Sequence, residues 1–374
     1  MLHPFRLPTR LLMAPGALAQ LPEVVAGYSP ERVLLVTDPG LEDTGWPERI
    51  WQALAEINIE AITFDDVEAN PRASTVDRMA EWAKAEGATL VLGVGGGSVL
   101  DAAKAAAMVM TNGGAAASYE GRDRYAEKPL PFIAVPTTCG TGSEVTWVSV
   151  LTVEERYAKI SVKGEAMFPD WAVVDPELLR TLPGRLVAWT GMDALTHALE
   201  AATGRRANPV SDTLAADAAS LLFRYLRRAA EDIEGDAEAR EAVMRASTLA
   251  GLAFGNADVA AVHCLSETLG GRYDLPHGLA NAALLRPVLE YNLPATRDKL
   301  AALATAAGLG ATAEDLLKAV EDLLDALDIP GFPAFGIPRE DHPWIAERAA
   351  QNGSNASNAR EMGAEQYLEL LEGL

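Results

Sequence analysis

Cysteine is scarce in this chain: Cys139 and Cys264 are the two examples in 374 residues. That is too few to staple a secreted scaffold and fits a reducing compartment, so a cytoplasmic protein is expected. Basic residues are also short, with 31 Lys and Arg against 53 Asp and Glu and a net charge of −22. A field of that sign repels phosphate backbones and anionic membrane surfaces, which argues against nucleic acid and membranes as partners. No apolar run approaches the roughly twenty residues of a membrane span. The N-terminal stretch MLHPFRLPTRLLMAPGALAQL is interrupted at Pro15-Gly16, leaving a patch too short for the core of a signal peptide. Repeats and low-complexity tails are missing as well. What remains is 49% hydrophobic residues at a mean hydropathy near zero. That is enough for a sizeable core, in a chain long enough for two domains.

Between about residues 30 and 175, short β-rich runs alternate with helical patterns. RVLLVTD, EAITF, TLVLGV, PFIAVP and WAVVD read as strands, and ASTVDRMAEWAKAEG and SVLDAAKAAAMVM as helices. Such alternation implies a parallel sheet covered on both faces. EVTWVSVLTV followed by AKISVK reads as an antiparallel appendage. From 185 onward the amphipathic patterns are all helical. The expectation is an α/β domain over residues 1–183 and an all-helical domain over 184–374, hinged near Pro183-Gly184.

In LVLGVGGGSVLDAAK a strand runs into Gly95-Gly96-Gly97-Ser98 and then a helix. Glycines let the backbone approach a ligand, Ser98 can cap the helix, and the helix N-terminus favours an anion, so the loop suits a pyrophosphate. It is not the usual dinucleotide fingerprint, since Ser98 stands where a third glycine belongs. A tight strand-to-helix turn without ligand would use the same residues. A second loop, AVPTTCGTGSEVT, gathers Thr137, Thr138, Thr141 and Ser143 after another strand, either for sugar and phosphate oxygens or to cap its own backbone. Asp38 ends the first strong strand, where a carboxylate accepts from a ribose diol and repels a 2′-phosphate. An Asp opening a turn before Pro39-Gly40 would look the same.

Three of the five histidines stand out. Asp193 and His197 in GMDALTHALEA are four apart on an expected helix and share a face; His263 and His277 follow in AVHCLSETLGGRYDLPHGLANA. One carboxylate and three imidazoles suit Fe(II) or Zn(II) with positions open for a substrate oxygen. Singly, each histidine is more often a satisfied core or surface residue than a ligand, and His3 and His342 are read that way.

The pieces NP at 70–71, GGGSVLDAAK at 95–104, PTTCGTGSEVT at 136–146, GMDALTHALEA at 191–201 and HCLSETLGGRYDLPHGLANA at 263–282 together resemble the iron-dependent (group III) alcohol dehydrogenases. Their order and spacing agree across essentially the whole chain. The resemblance implies a dehydroquinate-synthase-like fold, with an N-terminal nucleotide-binding α/β domain and a C-terminal helical domain carrying metal and catalysis. It implies metal ligands Asp193, His197, His263 and His277, and a cofactor cradle of Gly96, Gly97, Ser98, Thr137, Thr138 and Thr141. Asn70, Lys159 and Leu178 match positions near the cofactor, Phe254 one lining the substrate pocket, and Asp38 the position that selects NAD.

One departure is Glu267, which stands where many members carry a second histidine near the nicotinamide. It could relay a proton, approach the metal, or fill space. The implied activity is NAD-dependent interconversion of a small primary alcohol and its aldehyde, with Fe(II) the expected ion and Zn(II) the alternative. A glycerol or diol-type enzyme, or a metal-free maleylacetate-type reductase, would use the same scaffold. A homo-oligomer, a dimer, is expected from the resemblance alone.

Overall fold

The computed structural model describes residues 5–374. Its nine strands are β1 (Arg10–Met13), β2 (Val33–Val36), β3 (Ala61–Phe64), β4 (Leu90–Gly95), β5 (Gly121–Arg122), β6 (Phe132–Pro136), β7 (Val148–Val153), β8 (Ala158–Lys163) and β9 (Trp171–Val174). Helices α1 (Leu21–Ala26), α2 (Trp46–Glu56), α3 (Ala73–Ala85) and α4 (Gly97–Asn112) alternate with the first strands. They are followed by α5 (Gly184–Thr203), α6 (Pro209–Glu231), α7 (Ala237–Ala257), α8 (Ala261–Tyr273), α9 (His277–Ala306), α10 (Ala313–Ala326), α11 (His342–Gln351) and α12 (Ala364–Glu372).

Six strands form one sheet in the order β1-β9-β6-β4-β2-β3, and all its pairings are parallel. Successive side chains of β2 serve opposite faces, as strand geometry requires. Val33 and Leu35 join Val25 of α1 and Leu54 of α2 in one core, whereas Leu34 and Val36 join Met79 of α3 and Leu100 of α4 in another. Burial on both faces is why β2 and β4 read as unbroken apolar runs. β7 and β8 pair antiparallel beside the short β5, as the appendage expected from sequence.

The chain resolves into two compact units. One comprises Leu7–Thr138 and Ser143–Leu182; the other comprises Pro183–Leu374, the described residues Phe5 and Arg6, and the four-residue excursion Cys139–Gly142. The fold is therefore a parallel α/β unit and a helical unit. In the helical unit α5 packs against α6, α7 and α9. Two glycines permit that closeness. A Cβ on Gly191 would meet Leu226 Cδ1 at 2.1 Å, and one on Gly278 would meet the Trp189 carbonyl at 2.3 Å. The second of these brings the start of α9, and His277 with it, against α5. Among the described residues no single helix is long and apolar enough to cross a membrane.

Candidate metal centre

Helix α5 places Asp193 and His197 one turn apart, and both are buried. His263 comes from the first turn of α8 and His277 is the first residue of α9. Their polar tips converge on one carboxylate oxygen: Asp193 Oδ1 lies 3.9 Å from His197 Nε2, 3.6 Å from His263 Nε2 and 3.7 Å from His277 Nε2. Ligands bound tetrahedrally at about 2.1 Å stand about 3.4 Å apart, so these separations are close to those of donors sharing one ion. Three of the four, Asp193, His263 and His277, each offer one ligand atom, and these atoms lie within 4.8 Å of one another. A nitrogen-rich, single-carboxylate donor set of this kind fits a borderline divalent cation.

Outer contacts aim the imidazoles. The Nδ1 of His197 lies 3.2 Å from the carbonyl oxygen of Gly140, and the Nδ1 of His263 lies 2.6 Å from Glu200 Oε2. With Nδ1–H donated to these oxygens, each ring presents the lone pair of Nε2 to the centre. Glu200 also accepts from the backbone N–H groups of Ala260 and Val262, which fixes the start of α8. Phe254 stacks on His197 with centroids 4.1 Å apart, and His197 stacks on His263 at 4.5 Å. Gly140 can lie this close because it has no Cβ, which would fall 2.5 Å from the Thr190 carbonyl.

The electrostatics follow from burial and proximity. Burial alone would raise the Asp193 carboxyl, but the imidazoles of His197, His277 and His263 hold it well below the usual carboxylate range. Burial pushes His197 down to about 4 despite Asp193 beside it. Burial also opposes charge on His263, yet Glu200 and Asp193 push it up to about 10. A proton and a cation therefore compete for that ring.

In the α/β unit the glycine loop lies between β4 and α4. A Cβ on Gly95 would fall 2.5 Å from Val99, and one on Gly96 would fall 3.0 Å from Thr138, so both glycines have packing reasons as well. Gly97 already belongs to α4 and Gly96 takes the extended N-cap position. Ser98 is thus inside the first turn and does not cap the helix, contrary to the sequence expectation, because the helix already begins at Gly97. The loop's helix N-terminus nevertheless has no side-chain cap, and its N–H groups are those of Gly97 and Ser98.

Thr137 follows β6, and its N–H bonds the Gly95 carbonyl. Thr138 lies against Gly96, whereas Thr141 falls within the excursion that belongs to the helical unit. Asn70, in a left-handed conformation at φ 52, accepts from Lys159 Nζ at 2.7 Å. Leu178 is buried in the core that faces α1 and α2. Asp38 does open a turn, accepting from Gly40 N at 2.8 Å at the end of β2. Glu267 lies outside the converging donors, and its Oε2 accepts from Asn352 Nδ2 at 2.6 Å.

Sequence reasoning missed Glu200 and Asn281. Glu200 is seven residues beyond Asp193 on α5, the same face by helical spacing, and that spacing could have found it. Asn281, one turn beyond His277 on α9, donates from Nδ2 to Asp193 Oδ1 at 2.6 Å.

A parallel α/β unit thus accompanies a helical unit in which Asp193, His263 and His277 could hold a metal ion. The family model for iron-containing alcohol dehydrogenases matches residues 8–176, and that for the C-terminal part of the Fe-containing alcohol dehydrogenase family matches 187–374. The chain belongs to this family, which implies a divalent metal and NAD. It is 38% identical to 1,3-propanediol dehydrogenase of Klebsiella pneumoniae, over 97% of this chain and 96% of that protein. A crystal structure of 1,3-propanediol oxidoreductase superposes with a TM-score of 0.96 at 35% identity, covering all of both chains. Sulfoacetaldehyde reductase from Bifidobacterium kashiwanohense, solved in complex with NAD+, superposes at 0.91 with 29% identity, over 100% of this chain and 99% of that one.

Proposed function

We propose that this chain interconverts a small primary alcohol and its aldehyde by hydride transfer with NAD(H), using Fe(II) held by Asp193, His197, His263 and His277. The observation that carries this reading is the convergence of three Nε2 atoms within 3.9 Å of Asp193 Oδ1. When bound, the ion supplies a Lewis acid for the substrate oxygen. Glu200 and the Gly140 carbonyl hold two of the rings in the orientation this requires, and Phe254 walls the site beside His197.

For the cofactor, the uncapped N-terminus of α4 offers the N–H groups of Gly97 and Ser98 to a pyrophosphate, with Gly96, Thr137 and Thr138 alongside, and Thr141 is assigned to the same cofactor. Asn70, Lys159 and Leu178 complete the cofactor assignment. Asp38 favours NAD through repulsion of a 2′-phosphate. Glu267, a turn beyond His263, is assigned to proton relay, tethered by Asn352. The propanediol-active relatives favour a short diol or its hydroxyaldehyde among the substrates. A homodimer in the cytoplasm completes the reading, and the two buried free cysteines suit a reducing compartment.

The test is anaerobic NADH oxidation over a panel of short aldehydes, comparing chelator-stripped enzyme with the same enzyme reloaded with Fe(II) or Zn(II). Activity lost on stripping and restored best by Fe(II) is expected. Activity indifferent to metal would sink the reading in favour of a metal-free reductase.

A further inference from the structure

Asn281 is fully buried, one turn after His277 on α9, and its amide nitrogen points into the donor cluster. Nδ2 donates to Asp193 Oδ1 at 2.6 Å and lies 3.2 Å from the Nε2 atoms of both His263 and His277. An amide nitrogen carries two hydrogens. One goes to the carboxylate, and the other is within reach of the two rings. An atom this near all three ligand atoms stands inside or against the space that an ion shared by them would take. The other end of the amide has the opposite fate: Asn281 Oδ1 is buried with no hydrogen-bond partner. The side chain is oriented so that the ligand atoms are satisfied at the expense of its own carbonyl.

A buried carboxylate facing imidazole nitrogens is unfavourable without a donor or a cation beside it. A metal ion provides that, and so, more weakly, does an N–H donor. Building on the proposed metal reading of this site, we propose that Asn281 is a resident placeholder. Its amide holds Asp193, His263 and His277 together while no metal is bound, and it gives way when the ion enters. Asn281 is then a positioning residue that stabilises the empty centre and competes with the cation.

The direction of the effect on affinity separates this from an ordinary orienting role. If the amide serves mainly the empty state, removing it destabilises the metal-free protein more than the loaded one, and by linkage the ion binds more tightly. If the amide serves mainly to aim Asp193 in the loaded state, removing it weakens binding.

The experiment measures Zn(II) dissociation constants by chelator competition for the wild type, Asn281→Ala and Asn281→Val, with thermal midpoints of each protein stripped and loaded. The second variant fills more of the vacated volume without reaching the cluster, should the first fold poorly. The expected result is a dissociation constant about tenfold lower in both variants, with the stripped midpoint falling further than the loaded one. An unchanged or higher dissociation constant, with both midpoints falling alike, overturns the placeholder role while leaving the metal site standing. A wild type that binds no Zn(II), and no Fe(II) under anaerobic conditions, overturns the metal reading itself and the placeholder with it.

Discussion

At the scale of single residues, the converging donors depend on side chains outside the proposed ligand set. Glu200 accepts three donors, the His263 ring and the N–H groups of Ala260 and Val262. Changing Glu200→Gln keeps the shape but removes the charge and turns one acceptor into a donor. The expected outcome is a metal affinity lowered about 10- to 100-fold with the fold intact, checked by chelator competition alongside circular dichroism. The shared face of Asp193 and His197 was legible in the sequence because residues four apart on a helix project to one side. Glu200 sat in the same face and was passed over, since glutamate on a helix is ordinarily solvated; only its burial separates it from the rest. Asn281 gave no signal at all, because an amide in a helix has many uses and its partners lie on three different elements. Ser98 was misplaced by two helical positions, as the point where a run of glycines turns helical could not be read from the string.

At the scale of elements, α4 does more than present its N-terminus. Lys104, fully buried, donates to the Ser143 carbonyl and hydroxyl at 3.0 Å each and to the Val148 carbonyl at 2.7 Å. Asp101, one turn earlier, accepts from Ser143 Oγ at 2.6 Å and Val150 N at 2.9 Å. Two oppositely charged side chains on one helix thus pin the end of the second loop and the start of β7. Burial pushes the Lys104 ammonium down to about 8, although Asp101 and Glu144 favour its charge. A lysine lowered in the fold binds fewer protons there than in the unfolded chain from about pH 8 up to the ordinary value of 10.5. Its contribution to stability therefore rises with pH across that window. Relative to Lys104→Met, the wild type is expected to gain stability between pH 8 and 10, read from urea unfolding at each pH. A constant difference between the two proteins would count against the buried charge. The strands and long helices of this region were legible from period and apolar content. The two-residue β5 and the 3-10 turns were not, because segments that short show no periodicity.

At the scale of the whole molecule, the parallel α/β half and the helical half could be read from the change in pattern near residue 184, which is a bulk property of many residues and robust to local error. The net charge of −22 is equally a property of the whole. Carboxylates in excess repel one another across the folded surface, and that repulsion is relieved by screening and by unfolding. As the screening length shrinks from about 10 Å at 0.1 M salt to about 3 Å at 1 M, the thermal midpoint should rise by a few degrees, measured by calorimetry in NaCl. A midpoint that falls or stays level would show that attractive surface pairs such as Arg228 with Asp236 and Glu238 dominate instead.

The excursion Cys139–Gly142 has a bearing on how such a protein can be inherited. These four residues are encoded amid the α/β segment, yet they belong to the helical unit and supply the carbonyl that aims His197. A gene fragment beginning at residue 183 would deliver all four proposed metal ligands without the backbone oxygen that orients one of them. The helical half is accordingly not a transferable cassette, and recombination that exchanged it would have to carry a short stretch of the other half's reading frame with it.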